Sequence, residues 1–271
     1  MRMQFILLKL TILIIIYNIT TCKIAFAQNG DNLVAELMKN TYKIETDSSC
    51  GTVFVLHDFK SKRLCMFTAA HVLEGIKGDS ATLITRFLKT DGYRRLPYRI
   101  QIRRNGKELW KKHPELDIAA MLIALPETTV QYGFSGISSE FFADEQILSE
   151  IDLNPGDEVY IIGYPKCFVC NEEGFPILRT GSIASYPILP INKYKTFWID
   201  FEILGGNSGS PVFIVKRDNW GERRYIIGII YKEGVWDINN KEDSRLSVGK
   251  AVHAVYVKEL LNMTLTNDAN Y

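Results

Sequence analysis

The chain has 271 residues with 32 basic and 31 acidic side chains, which gives a formal net charge of +1 at pH 7. This balance argues against nucleic acid or an anionic membrane as a partner, because both select strongly basic surfaces. The length is enough for one domain or two small fused ones.

Residues 1–27 differ in composition from everything that follows. A basic residue at position 2 precedes an apolar run over residues 5–16, and a polar stretch ends in the small-residue pattern Ala-Phe-Ala at Ala27. This order is typical of a secretory signal peptide cleaved after Ala27. The run is short for a membrane span, which needs about 20 apolar residues; the alternative is an uncleaved N-terminal anchor. The sequence predicts an exported protein, periplasmic or extracellular.

Four cysteines lie beyond residue 27, at Cys50, Cys65, Cys167 and Cys170. Disulfides are allowed in an exported chain, so Cys167 and Cys170 could close a small loop and Cys50 and Cys65 could pair across a hairpin. A redox pair would need a βαβ context and a zinc site a second ligand pair. Neither is visible, so structural disulfides or free thiols are predicted and no metal is expected.

The first half of the chain begins with a predicted helix over residues 31–41, with apolar residues at helical spacing after Asp31 or Asn32 as the N-cap. Short apolar runs then predict strands. A polar stretch over residues 126–155 is predicted to be a linker with a helical turn near residues 138–149. The strands predicted before this linker cover residues 51–56, 63–68, 81–87, 98–103 and 118–125.

The second half continues the same pattern and closes with an amphipathic turn over residues 257–263. Many short strands, almost no long helix and a linker in mid-chain predict an all-β sandwich or pair of barrels. The strands predicted in this half cover residues 158–163, 176–185, 196–203, 211–216, 224–231 and 250–257.

The segment over residues 205–212 reads Gly-Gly-Asn-Ser-Gly-Ser-Pro-Val and enters an apolar run. Glycines let the backbone turn sharply and bring main-chain N–H groups close to a ligand. Such a loop can present Ser208 as a nucleophile and use the N–H groups of Gly206 and Ser208 to bind an oxyanion. A plain turn is the alternative, because clusters of glycine, serine and proline are common in turns.

Two residues upstream complete a catalytic set. His71 follows the small residues at the end of a predicted strand, and Asp117 stands just ahead of another. A serine hydroxyl is a weak nucleophile unless a base removes its proton, and histidine is suited to that role near neutral pH. The acid holds the imidazole in the right tautomer and stabilises its charged form. His71, Asp117 and Ser208 are the predicted catalytic residues, and nothing in this chemistry requires a cofactor.

These motifs resemble those of the chymotrypsin-like (trypsin-like) serine peptidases. Thr-Ala-Ala-His-Val at residues 68–72, Asp-Ile-Ala-Ala at 117–120 and Gly-Asn-Ser-Gly-Ser-Pro at 206–211 occur in the family's order, at intervals of 46 and 91 residues between His71, Asp117 and Ser208. The resemblance implies two antiparallel six-stranded β-barrels, a short C-terminal helix and a protein or peptide substrate. It divides the chain into an N-terminal half, residues 28–140, carrying His71 and Asp117, and a C-terminal half, residues 141–271, carrying Ser208.

Within that family, the serine loop and the strand ending at Pro165 are similar to the bacterial branch of glutamyl endopeptidases and periplasmic quality-control proteases. Asn207 departs from the digestive enzymes, which carry aspartate before the serine, so activation by a freed N-terminus is not expected. The resemblance implies a substrate pocket near Glu202, Ile230 and Tyr231. Glu202 stands where trypsin-like enzymes carry an acid that attracts lysine or arginine, with an outward-facing strand residue as the alternative.

Two other functions compete with the peptidase hypothesis. An α/β-hydrolase would need Gly-x-Ser-x-Gly and the order serine, acid, histidine, but residue 210 is serine and the order here is reversed. A catalytically silent member of the family that acts as a protein-binding module remains as the alternative function. Of the other histidines, His57 and His113 are expected at the solvated surface and His253 is expected to be packed in a strand.

Overall fold

Two β-sheets, one from each half of the chain, form the body of the molecule. The computed structural model describes residues 33–127, 136–218, 221–235 and 245–268, and the predicted signal peptide and the candidate caps Asp31 and Asn32 lie outside the described residues. Among the helices within these ranges, none is both long and apolar enough to cross a membrane.

The first sheet has eight strands, hydrogen-bonded in the order β5-β4-β1-β2-β3-β9-β8, with β10 pairing with β2. Six of these strands have five or more residues, and β8 and β10 have two each. A two-stranded ribbon, β6–β7, lies between β5 and β8 in the chain. The strands are β1 (Thr41–Glu45), β2 (Cys50–Asp58), β3 (Arg63–Thr68), β4 (Ser80–Lys89), β5 (Gly92–Gln101), β6 (Arg103–Arg104), β7 (Lys107–Glu108), β8 (Lys111–Lys112), β9 (Ala119–Ile123) and β10 (Ile137–Ser138).

The second sheet closes into a six-stranded barrel in the order β11-β12-β13-β16-β15-β14. The all-β class and the double-barrel architecture predicted from the sequence are therefore confirmed, with the first half built as six longer strands extended by two short ones. The barrel strands are β11 (Glu158–Gly163), β12 (Ile177–Ile183), β13 (Thr196–Asp200), β14 (Pro211–Asp218), β15 (Gly221–Val235) and β16 (Arg245–His253).

Within the described ranges the α-helices are α1 (Leu33–Asn40), α2 (Ala70–Glu74), α3 (Glu145–Glu150) and α4 (Ala254–Asp268). The predicted terminal turn is part of the longer α4, and the strand predicted over residues 250–257 ends at His253. Strand β1 was not predicted, because it follows α1 without a loop and has only five residues, the first four of them buried on both faces of the sheet.

The apolar core explains why the central strands read as continuous hydrophobic runs. In β2, Phe54 and Leu56 pack into a core shared by both halves, whereas Val53 and Val55 pack into the core of the first sheet. Both faces of the strand are covered, so alternation between apolar and polar residues is not needed. The shared core also receives Leu260 from α4, and it fixes the two halves around the cleft between them.

Candidate active site

His71 lies on the first turn of α2, directly after the end of β3. Ala69 and Ala70 are fully buried, and these small side chains let the helix begin close against the sheet. The hydroxyl of Thr68 donates to the carbonyl oxygen of Thr52 at 2.7 Å, which ties the end of β3 to β2. The side chain of His71 is 44% exposed and lines the cleft between the two halves.

Asp117 holds His71 through two hydrogen bonds. Its Oδ1 accepts from the backbone N–H of His71 at 3.0 Å, and its Oδ2 accepts from the Nδ1 of the same residue at 2.7 Å. Burial by itself would raise the pKa of Asp117, but hydrogen bonds from His71 and its charge outweigh burial and leave the pKa below its ordinary value. Because the carboxylate is ionised near neutral pH, Nδ1 carries the proton and Nε2 is free to accept one.

The loop before Ser208 begins with a type II turn. The N–H of Asn207 donates to the carbonyl oxygen of Leu204 at 3.0 Å, and Gly206, the third residue of the turn, has a φ of +95°. A type II turn requires a positive φ at this position, which favours glycine. The carbonyl oxygen of Gly205 accepts a hydrogen bond from the backbone N–H of Lys166, so the peptide between the two glycines is anchored from the C-terminal half.

A second turn follows at once and carries Ser208. The N–H of Ser210 donates to the carbonyl oxygen of Asn207 at 3.0 Å, and the carbonyl oxygen of Ser208 accepts from the N–H of Thr52 at 2.9 Å. Gly209 has a φ of +91°, and a Cβ at this position would overlap the carbonyl oxygen of Thr52. Only glycine fits here, because the loop lies directly against β2.

The two turns fix the direction of two backbone donors. In a planar trans peptide the N–H points away from the C=O. The carbonyl of Gly205 accepts from Lys166, and the carbonyl of Asn207 accepts from Ser210 within the second turn. The N–H groups of Gly206 and Ser208 therefore point the other way, and both residues line the cleft. Paired N–H donors beside a serine are the arrangement that stabilises an oxyanion in acyl transfer.

The cleft itself is a cavity of about 260 Å³ whose lining includes His71 and Ser208, while Asp117 is not among the lining residues and reaches the cleft through its hydrogen bonds to His71. Its walls combine the loop that carries Gly205, Gly206 and Ser208 with apolar side chains from the first half. The lining residues are Ile44, Glu45, Ser49, Cys50, His71, Val72, Gly75, Ile76, Gly205, Gly206 and Ser208.

The three residues proposed for the substrate pocket do not line this cavity. Glu202 is exposed, and its backbone carbonyl accepts from Arg179 at 2.9 Å. Ile230 is fully buried in the core of the closed barrel. Tyr231 is partly buried, and burial, with a smaller contribution from the charge of Asp117, raises its pKa.

The cysteines pair differently from both pairings suggested by the sequence. Cys50, at the start of β2, forms a disulfide with Cys167, which follows β11, while Cys65 is buried and free and Cys170 is exposed and free. The spacing of cysteines in the sequence does not predict a partner 117 residues away, because this pairing depends on how the two halves of the chain meet. A Cβ on Gly206 would lie 3.2 Å from the sulfur of Cys50, so the disulfide lies close to the loop that carries Gly206 and Ser208.

Two expectations for the histidines are wrong. His57 belongs to β2 and is partly buried, so it is not a fully solvated surface residue. His113 is only 4% exposed, because α4, far away in sequence, covers the basic stretch in which it lies. His253 is fully buried at the end of β16, as predicted. Among the described residues, no group of three potential ligands is placed to hold a metal ion.

The fold is similar to that of solved proteases. A mutant of Rv3671c from M. tuberculosis in an inactive form matches with a TM-score of 0.50 and 18% identity, over 89% of this chain and 93% of that one. The thermostable serine protease AL20 from an extremophilic microorganism matches with a TM-score of 0.48 and 14% identity, over 85% and 99% of the two chains. Protease Anisep from Arthrobacter nicotinovorans matches with a TM-score of 0.47 and 16% identity, over 84% and 95%.

No protein-family model and no curated protein matches the sequence. The first of the three structural matches establishes the fold of this chain as that of the chymotrypsin-like serine proteases. The resemblance predicted from the three sequence motifs is confirmed at this level. The narrower likeness to glutamyl endopeptidases stays a prediction.

Proposed function

We propose that the protein is an exported serine endopeptidase, secreted or periplasmic, that hydrolyses peptide bonds through an acyl-enzyme. The observation that carries the proposal is the doubly hydrogen-bonded pair of Asp117 and His71 on the wall of a cleft shared with Ser208 and Gly206. A histidine with its Nδ1–H engaged and its Nε2 free is in the tautomer that a general base needs.

The reaction would run in two halves. Ser208 Oγ attacks the scissile carbonyl while His71 Nε2 takes its proton, and the N–H groups of Gly206 and Ser208 stabilise the oxyanion that forms. Each such donor is worth about 3–4 kcal/mol of barrier. His71 then protonates the leaving amine, and water, activated by the same imidazole, hydrolyses the acyl-enzyme. Asp117 stabilises the imidazolium in both halves.

A fluorophosphonate probe tests this function directly, since it reacts with activated serines. We expect the folded protein to be labelled at Ser208, and Ser208→Ala and His71→Ala to abolish labelling. Ser61→Ala, a change at an exposed serine of the β2–β3 turn, is the matched control and should label like the wild type. Equal labelling of Ser208→Ala and wild type would contradict the proposal, and absence of labelling in all folded forms would favour the silent binding module.

A further inference from the structure

His113 is the residue whose environment the reaction outlined above leaves unexplained. It is almost fully buried, and it closes the hairpin between β8 and β9 that carries Asp117. Its backbone N–H donates to the carbonyl oxygen of Ile118 at 2.9 Å, and the N–H of Ile118 donates to the carbonyl oxygen of Leu116 at 2.9 Å. The chain therefore makes a tight turn centred on Asp117, with His113 at its base.

The imidazole of His113 bonds to the backbone that leads into this turn. Its Nδ1 accepts two backbone hydrogen bonds, from the N–H of Glu115 at 3.1 Å and from the N–H of Leu116 at 3.2 Å. Since Nδ1 is an acceptor, the proton of the neutral ring lies on Nε2, which is 3.8 Å from a carboxylate oxygen of Glu259 in α4. The ring edge also packs against Tyr256 of the same helix, with centroids 5.7 Å apart.

Because one ring nitrogen satisfies the two N–H groups that immediately precede Asp117, we infer that His113 is a positioning residue for the catalytic acid. Without this acceptor, both donors would lose their partner at a partly buried site, and the turn would relax. The carboxylate of Asp117 has to meet two donors of His71 at once, so a small displacement of the turn disturbs the base. Displacements of about 1 Å in catalytic groups can lower rates about 100-fold.

The inference rests on the proposed peptidase function, and replacements that differ only in acceptor position test it. Asparagine places its Oδ1 where histidine has Nδ1, glutamine carries its oxygen one bond further out, and leucine has no acceptor. For hydrolysis of a peptide substrate, we expect His113→Leu and His113→Gln to lower kcat about 10- to 100-fold, with KM changed less than twofold. His113→Asn should restore kcat to within about threefold of wild type. Circular dichroism establishes that the variants compared are folded.

A second readout does not depend on turnover. The proton shared by His71 Nδ1 and Asp117 should give a downfield resonance in the proton NMR spectrum of the wild type and of His113→Asn, and this resonance should be broadened or lost in His113→Leu and His113→Gln. His253→Leu is the matched control, because it removes another buried histidine, and no contact between His253 and this turn is found within the described part of the chain. For this variant both kcat and the resonance should stay at the wild-type level.

The outcomes separate the two hypotheses. Wild-type kcat and an unchanged resonance in His113→Leu would overturn the positioning role, as would an Asn variant no better than the Gln variant. A folded wild type that shows the resonance but cleaves and labels nothing would overturn the peptidase function alone. If His113→Leu does not fold, the comparison of Asn with Gln decides the matter.

Discussion

At the scale of single residues, the two buried histidines, His113 and His253, differ in whether a ring nitrogen accepts hydrogen bonds. His113 uses Nδ1 to accept two backbone hydrogen bonds. His253 is packed beside the ring of Phe197, with centroids 4.7 Å apart, and neither of its ring nitrogens makes a hydrogen bond of normal geometry. Burial lowers the pKa of His253 to about 4, and the nearby backbone of Tyr194 offsets this only in part.

His253 should therefore make stability depend on pH. Its pKa is depressed in the folded state relative to about 6.5 in the unfolded chain. His253 is therefore neutral in both states above pH 6.5, and as the pH falls the unfolded state binds the proton before the folded state does. We expect the free energy of unfolding to decrease by about 3 kcal/mol between pH 6.5 and 4 from this residue. His253→Leu should lack this component, measured by urea unfolding at pH 7.5 and 4.5. An identical loss in both proteins would exclude His253 as its source.

At the scale of elements, Arg86 hydrogen-bonds to the junction between α1 and β1 and to a distant segment at Gly174. This arginine of β4 is fully buried, and one of its guanidinium nitrogens donates to the carbonyl oxygens of Lys39 at 2.8 Å and Thr41 at 2.7 Å, where α1 ends and β1 begins. The other donates to the carbonyl oxygen of Gly174 at 2.7 Å. A helix end leaves carbonyls without intrahelical partners and favours a cation, so Arg86 allows α1 to pass into β1 without a loop.

Replacing Arg86 should destabilise the protein strongly. In Arg86→Met these buried carbonyls lose their donor, and we expect a loss of about 3–5 kcal/mol in the free energy of unfolding. Arg86→Lys keeps the charge but not the planar fork and should retain part of the stability. Urea unfolding gives both values, with Arg94→Met, a change at a surface arginine, as a control expected within about 0.5 kcal/mol of wild type. A loss below 1 kcal/mol in Arg86→Met would contradict this role.

At the scale of the whole molecule, the cleft depends on how the two halves are held together. The shared apolar core contains Phe54 from the first sheet and Phe213 from the second. The Cys50–Cys167 disulfide crosses between the halves, with Cα atoms 5.9 Å apart. Because Cys167 adjoins Lys166, which donates to Gly205, the same link that joins the halves also supports the loop whose N–H groups are proposed to bind the oxyanion.

Removing the disulfide should affect both stability and activity. It spans 117 residues, and closing a loop of that length restricts the unfolded chain, so Cys50→Ala with Cys167→Ala should cost about 4 kcal/mol. The rate of fluorophosphonate labelling should also fall, since Gly206 loses the sulfur against which it packs. Urea unfolding and labelling kinetics measure the two effects. Cys170→Ser, at the exposed free thiol, should change neither. Unchanged labelling of the Cys50→Ala, Cys167→Ala double variant would contradict the proposed effect of the disulfide on the loop that carries Gly206.

Part of the candidate site was accessible from the sequence because it depends on local chemistry. The glycines at 206 and 209 predict tight turns, and both adopt the positive φ that such turns need. The small residues before His71 predict close packing at the end of a strand, and an acid ahead of β9 predicts a hydrogen-bonding partner. Each of these features depends only on neighbouring residues and on the chemistry of one reaction.

The all-β class, the order and spacing of His71, Asp117 and Ser208, and the turns around the serine follow from the sequence, because backbone preferences and alternating hydrophobicity act over a few residues. The pairing of Cys50 with Cys167, the burial of His113 under α4 and the contacts of Arg86 at the end of α1 are visible only in the folded chain. Each of these depends on segments far apart in the chain meeting at one place, and local composition does not encode which distant partner satisfies a buried polar group.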